Sequence, residues 1–293
     1  MRESGRTGLE RSCGDWIRHA PAPPGLERME AFFAGHAYAP HRHDTYAIGY
    51  TIEGVQSFDY RGVRADSRAG NAIIIHPDEV HDGRAGVETG FHYRMLYIEP
   101  RLIAGALDGR ARSLPFAPDA VLADPRLIAA LTPLLGDMER APEPLEADAA
   151  LARLADALLS LDASAGGGGF SMTMAARAVE TARAFLDAHF DRIVASEELE
   201  EVTGLDRFTL ARHFRARLGT SPYRYLTMRR LDRVRSRLRA GHGLADAAAE
   251  SGFSDQSHMT RQFKRAYGIP PGRWQAIHAA PRPVYEPPLP MNA

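Results

Sequence analysis

The stretch Thr203–Tyr225 reads TGLDRFTLARHFRARLGTSPYRY, and Ser251–Trp274 reads SGFSDQSHMTRQFKRAYGIPPGRW. Laid over one another, they repeat. Leu210, Arg212, Phe214, Gly219, Pro222 and Arg224 return as Met259, Arg261, Phe263, Gly268, Pro271 and Arg273, each 49 residues on. Gly204 and Gly252 are 48 apart, so the second turn is one residue longer. A recurrence at fixed offset means one supersecondary unit used twice. In each copy a short helix ends at a glycine, a turn follows and a longer helix begins, which is the order of a helix-turn-helix.

In the first copy Leu199 and Val202 lie three apart ahead of Gly204. Leu210, Phe214 and Leu218 then fall at i, i+4 and i+8, one apolar stripe that must face a core. The opposite face carries Phe208, Arg212 and Arg215, with Ala211 beside them. In the second copy Met259, Phe263 and Tyr267 form the stripe and Ser254 is the expected N-cap. Its exposed face carries Ser257, Arg261, Lys264 and Arg265, with His258 on the flank. A helix with one apolar stripe and scattered arginines is ordinarily just a solvated helix. Two such faces, each with Arg at the same offset from a core Phe, point instead to DNA, because Arg suits guanine and phosphate. Between the copies Ser221-Pro222 reads as an N-cap followed by proline at the first helical position. Leu226, Leu231, Val234 and Leu238 then continue at helical spacing to a terminating Gly241. A helix of about 20 residues is about 30 Å long, close to the roughly 34 Å between successive major-groove faces of B-DNA.

Charge agrees. Thr203–Gln275 holds 15 Lys+Arg against 5 Asp+Glu, a net +10, in a chain whose total is −1. A basic region inside an otherwise acidic chain implies a nucleic-acid partner. The single cysteine, Cys13, excludes a disulfide framework and suits a reducing cytoplasm. No apolar leader or 18-residue apolar run is present, so no membrane partner is expected.

The span from about Ala175 to Ala279 resembles the DNA-binding domain of the AraC/XylS family of bacterial transcription regulators, and GFSDQSHMTRQFKRAYGIPPGRW is close to that family's signature. The resemblance places base contacts on Phe208, Ala211 and Arg212 in the first reading helix and on Ser257, His258 and Arg261 in the second. Arg215 and Lys264 complete the expected DNA-binding set. Ala211 offers only a methyl group, fit for a thymine methyl and not for a hydrogen bond. The same resemblance implies promoter DNA and RNA polymerase as partners, an activator role and a homodimer.

From Leu26 to about Glu99 the pattern has a period of two. Tyr46, Ile48, Tyr50 and Ile52 alternate with Ala47, Gly49 and Thr51 and stop at Gly54. Val55–Tyr60, Ala72–Ile75 and Tyr93–Ile98 follow, separated by RG, AGN, HPDE and DGRAG turns. Short, evenly spaced strands with such turns predict an all-β sandwich or barrel, and this one resembles a cupin-type jelly roll. The runs HRHDTYAIGYTIEG and AGNAIIIHPDEVHDG resemble the effector-binding domain found ahead of such DNA-binding domains. His41, His43 and His81 admit three readings. Cupin enzymes hold metal through an HxH pair, a nearby Glu and a later His, but here that Glu is absent and only Asp44 is close. The histidines can equally orient a small polar effector, or be purely structural. The effector reading is adopted, with His41, His43, Tyr46, His81 and Tyr93 as ligand-binding residues and no metal, cofactor or catalytic residue. A metal-dependent cupin enzyme fused to a DNA reader is the alternative.

From Asp124 to Leu161 the pattern turns helical. Leu127, Leu131, Leu134 and Leu135 form one stripe, and Leu151, Leu154, Leu158 and Leu161 another. Such helices can complete the barrel's core; the resemblance implies that they form the dimer contact. The expected class is a two-domain α+β chain: a cupin-like β-barrel with flanking helices, then an all-α tandem helix-turn-helix domain. Its expected boundaries are a poorly ordered extension at 1–24, an effector-binding and dimerisation domain at 25–161, a Gly-rich linker at 162–171, a DNA-binding domain at 172–280 and a Pro-rich tail at 281–293.

Overall fold

The computed structural model describes residues 14–111, 113–162 and 174–279. Cys13, nearly all of the expected linker and the Pro-rich tail lie outside the described residues. The described residues of the N-terminal half form nine strands: β1 (Trp16–Ala20), β2 (Leu26–Phe33), β3 (His36–His41), β4 (Tyr46–Tyr60), β5 (Val63–Arg68), β6 (Ala72–Ile75), β7 (His81–Ala85), β8 (Phe91–Ile98) and β9 (Val121–Leu122). Three helices belong with them: α1 (Pro100–Leu107), α2 (Pro125–Leu135) and α3 (Pro144–Leu161). The C-terminal half is α4 (Met174–Ala188), α5 (Ser196–Thr203), α6 (Arg207–Leu218), α7 (Pro222–Arg239), α8 (Leu244–Ala249), α9 (Gln256–Tyr267) and α10 (Pro271–Ala279).

The mixed two-domain class matches expectation, but the strands do not close into a barrel. One path runs β1-β2-β8-β4-β6-β9, ending on a different strand at each side. β4 is a single 15-residue strand rather than two runs split at Gly54. Its first half pairs with β6 and β8, and its second half with β5 and β7. The handover lies at the register shift between Thr51 and Glu53 and at Gly54, whose φ is +73°. A glycine there bends the strand from one sheet to the other, where a side chain would strike the Gly90 carbonyl. Trp16–Ala20, expected to lie outside the fold, pairs with β2 as an edge strand.

The leucine stripes of α2 and α3 are spent on the sheet. Leu127, Leu131, Leu134, Leu151, Leu154 and Leu158 share one buried core with Tyr46, Ile48 and Leu96. Those stripes therefore complete the domain's core.

In the C-terminal half α7 joins two small cores. Leu210, Phe214 and Leu218 of α6 pack with Leu199 of α5, Tyr225 and Leu226 of α7, and Val179, Ala182 and Leu186 of α4. Met259 and Phe263 of α9 pack with Leu231, Val234, Leu238 and Trp274. Each longer helix starts at an aspartate and ends at a left-handed glycine. The Asp206 carboxylate accepts from Phe208 and Thr209 N–H, both at 3.0 Å, and Gly219 ends α6 at φ +70°. Asp255, not Ser254, caps α9 by accepting from His258 N–H at 2.7 Å, and Gly268 ends it at φ +71°. Ser254 donates to that carboxylate instead, at 3.2 Å.

Candidate nucleic-acid interface and effector cavity

The periodicity that buries Phe214 and Phe263 turns the predicted reading residues outward. Phe208, Arg212, Arg215, Ser257, Arg261 and Lys264 are exposed; Ala211 and His258 are half-buried. Phe208 is 71 % exposed, which no core role explains. The Arg212 guanidinium donates to Thr209 Oγ1 at 2.8 Å, which steadies it on the outer face of α6. Arg215 is less free, since its guanidinium stands 3.7 Å from Asp78 of the β6–β7 turn.

Not all of the positive charge faces outward. Arg207 bridges Glu197 and Glu200 of α5. Arg224, Arg229 and Arg235, all on α7, point into the N-terminal domain and meet Asp78, Asp44 and Glu27 respectively. Arg273 reaches Asp15 at 3.0 Å. The charge split visible in the sequence is thus partly a docking device between the two halves.

Docking also uses backbone. Ala39 N–H donates to Gly268 O and Arg42 N–H to Arg265 O, each at 3.0 Å, so β3 and the residue beyond it take up carbonyls at the end of α9. Arg224 donates to Arg42 O. Between the sheet and α7, α9 and α10 lies a cavity of about 210 Å³. Its walls come from both halves, with Glu27, His43 and Tyr97 on one side and Arg229, Arg235 and Tyr267 on the other.

His41, His43 and His81 do come together. One nitrogen from each lies within 4.8 Å of the others, and all three rings are buried. Each Nδ1 is held by a backbone carbonyl: Ala39 O at 2.9 Å, Thr45 O at 2.9 Å and Glu79 O at 3.1 Å. Burial, and then the neighbouring His81, pushes His43 down to about 3, and burial pushes His81 down to about 4. Burial, with His81 and His43 beside it, also holds His41 well below the ordinary range. All three are neutral imidazoles at pH 7.

Of the two tyrosines expected beside them, only Tyr93 is on that side. It lines a small cavity with His41 and His81, and its hydroxyl meets Tyr38 Oη at 2.9 Å. Tyr46 is not at the site: it lies in the core under α2 and α3 and donates to Pro115 O at 2.7 Å. Even and odd positions of a strand face opposite ways, so Tyr46 and Ile48 turn to that core while Ala47 turns to the histidine side. Not assigned to the cavity by the sequence were Glu27, Tyr38, Arg229 and Arg235, nor Asp44 and Tyr267, which it read only beside the histidines and in a buried stripe. Nothing in a linear pattern links α7 to strands some 200 residues earlier. The one usable signal was an arginine excess on a helix whose apolar positions already marked it as buried.

Comparison with known proteins agrees with both halves. A family model for the AraC-like ligand binding domain matches residues 23–155, and one for a helix-turn-helix domain matches residues 199–277. The uncharacterised helix-turn-helix transcription regulator YbfI of Bacillus subtilis is 27% identical over 228 residues, covering 75% of this chain and 80% of that protein. The transcriptional activator RhaS of Salmonella schwarzengrund is 34% identical over 89 residues, 30% of this chain and 32% of RhaS. The crystal structure of unsaturated-fatty-acid-bound ToxT from Vibrio cholerae has a TM-score of 0.59 at 13% identity, covering 95% of this chain and 98% of ToxT, a likeness of fold. A ligand-binding domain ahead of a paired helix-turn-helix domain, with a regulator aligned along 75% of this chain, makes this protein a member of the AraC family of transcription regulators with an N-terminal effector-binding domain.

Proposed function

We propose that the chain acts in the cytoplasm as a homodimeric activator that binds promoter DNA through α6 and α9, engages RNA polymerase, and changes its output when a small molecule enters the cavity between its halves. One observation carries the reading: the cavity wall is built jointly by the sensing sheet and by the helices that hold the readers in place. A ligand that fits better in one docking arrangement than another shifts the balance between them by its difference in affinity. Base contacts are assigned to Phe208, Ala211 and Arg212 on α6 and to Ser257, His258 and Arg261 on α9. Arg215 and Lys264 are assigned to phosphate. Dimerisation is assigned to the outer surface of α2 and α3, where Leu145 is exposed. The activator role and the polymerase contact draw support from RhaS, whose name describes an activator and whose likeness covers the DNA-binding part.

Genome-wide mapping of bound sites tests the DNA reading. The expected result is a shared motif of two short blocks about one helical turn apart, lost in an Arg212→Ala/Arg261→Ala double variant. A flat profile for the wild type would sink it. Filling the cavity by Ile17→Trp should lock a promoter reporter in one state; an unchanged response places the effector elsewhere.

A further inference from the structure

The cavity between the halves is lined by residues with buried donors and buried acceptors that have no hydrogen-bond partner among the described residues. On the sensor side these are Asp44 Oδ1 and His43 Nε2; on α7 they are Arg229 Nε and Arg235 Nε. Nδ1 of His43 meets the Thr45 carbonyl, which can only accept, so the proton sits there and Nε2 is left as an acceptor. Asp44 accepts from Arg229 through Oδ2 alone, at 2.9 Å. The guanidinium heads are engaged through their Nη atoms, Arg229 with Asp44 and Asp232 and Arg235 with Glu27, which leaves the two Nε–H groups as donors. A buried polar group without a partner is costly, so folded proteins pair nearly all of them.

Much of the remaining wall is apolar, from Ile17, Leu26, Met29, Met228 and Ile269. An occupant that suits it offers a donor to the sensor side, an acceptor to α7 and an apolar body. A plain carboxylate would leave Asp44 and His43 bare, and would add negative charge to a wall holding Glu27, Asp44, Glu99 and Asp232 against Arg229 and Arg235. A plain amine would leave both Nε–H groups bare. A polyol could reach all four atoms but would set its other hydroxyls against apolar side chains. Benzene occupies an apolar cavity of about 150 Å³. At about 210 Å³ this one takes, on the same scale, roughly eight or nine non-hydrogen atoms, the size of an amino acid such as leucine.

We propose that, given the cavity's role as the effector site, its effector is a free α-amino acid with a medium-sized aliphatic side chain, the ammonium held by Asp44 and His43 and the carboxylate by the Nε–H groups of Arg229 and Arg235. An ammonium donates up to three hydrogen bonds and a carboxylate accepts on both oxygens, so one molecule meets all four atoms. Burial, partly offset by Arg229, pushes Asp44 up to about 6; an ammonium at Oδ1 favours its ionised form. Asp44 and His43 lie in the loop between β3 and β4, and both arginines lie on α7. The bound molecule therefore ties the sensor to the helix that joins the two reading units.

The test is calorimetric titration and thermal melting of tag-free, full-length protein with L-leucine, L-isoleucine and L-methionine. Two further probes each lack one charge: 3-methylbutylamine has no carboxylate and 4-methylpentanoate has no ammonium. One or more of the amino acids should bind and raise the melting temperature, with the amine and the acid each at least roughly tenfold weaker. Asp44→Asn should weaken the amino acid at least roughly tenfold without weakening 4-methylpentanoate, a split that lost packing alone would not produce. Equal weakening of both would overturn the assignment of Asp44. Where that variant does not fold, the ranking on the wild-type protein still decides. An amine or acid that binds as tightly as the amino acids, or no binding by any of the three amino acids at millimolar concentration, would overturn this effector class. Ile17→Trp keeps the two readings apart: a locked reporter with no amino-acid binding removes the ligand class alone, and an unchanged reporter response removes the cavity as the effector site.

Discussion

The two helix-turn-helix copies are alike inside and differ where they meet the sensor. Phe214 and Phe263 anchor their cores, Asp206 and Asp255 start the longer helices, and Gly219 and Gly268 end them. The ends then diverge. Gly219 lies against the Pro77 side chain, and Arg215 and Arg224 beside it face Asp78. Gly268 lies against backbone, with its carbonyl hydrogen-bonded to β3. The first copy is docked chiefly by side chains and charge, the second by main chain with the Arg273–Asp15 pair beside it. Residues repeated 49 apart thus serve three ends: Arg212 and Arg261 face outward, the phenylalanines fill cores, and the glycines with Arg224 and Arg273 dock the sensor.

The internal likeness makes the largest prediction. Phe214→Ala and Phe263→Ala should each cost about 3–5 kcal/mol by urea unfolding, since both rings are fully buried. A loss confined to one of them would break the equivalence of the two cores.

The difference at the ends predicts the next. Gly219→Ala and Gly268→Ala both carry a left-handed penalty of about 1–2 kcal/mol. At Gly268 the new methyl meets the Ala39 carbonyl at 2.7 Å, whereas at Gly219 it meets the Pro77 side chain at 2.6 Å. A side chain in a turn gives way more readily than a hydrogen-bonded strand. Gly268→Ala should therefore lose about 1–3 kcal/mol more in full-length protein, and equal losses would show that the backbone grip on α9 is loose.

On DNA, Arg212→Ala and Arg261→Ala should each lose about 1–3 kcal/mol for the specific site and much less for a random duplex. Fluorescence anisotropy against both duplexes reads the split. Unchanged affinity and sequence preference in both variants would remove these residues from the reading faces.

The smallest contrast lies in the second repeated arginine. Arg224 and Asp78 have side chains about a tenth exposed, while the Arg273–Asp15 pair is 40 % and 28 % exposed. Arg224→Ala should cost about 1–3 kcal/mol, because it strands buried polar groups. Arg273→Ala should cost at most about 1 kcal/mol, screened by solvent. Melting temperatures in low and high salt separate them: only the Arg273 effect should fade with salt.

Much of this protein was legible because local rules act over a few residues. The stripe through Leu210, Phe214 and Leu218, the Ser221-Pro222 helix start, the αL glycines and the strand at Ala72–Ile75 all follow from periodicity and turn chemistry. So do the outward faces of α6 and α9, since burying one side of a helix exposes the other. Misplaced features depended on what lay across the fold. Gly54 has the dihedral of a turn residue, and only its crowding against Gly90 makes it a strand bend. Tyr46 shares a short stretch with His43 yet turns to the opposite core. The basic composition of α7 could not announce that Arg224, Arg229 and Arg235 find acids in the first hundred residues. By itself the sequence determined the repeat, the outward faces of α6 and α9 and the two-domain class, because helix and strand periods are properties of the chain. The tertiary structure alone decided the docking of β3 on α9, the cavity between the halves and the meeting of His41, His43 and His81, because these join residues that no local period relates.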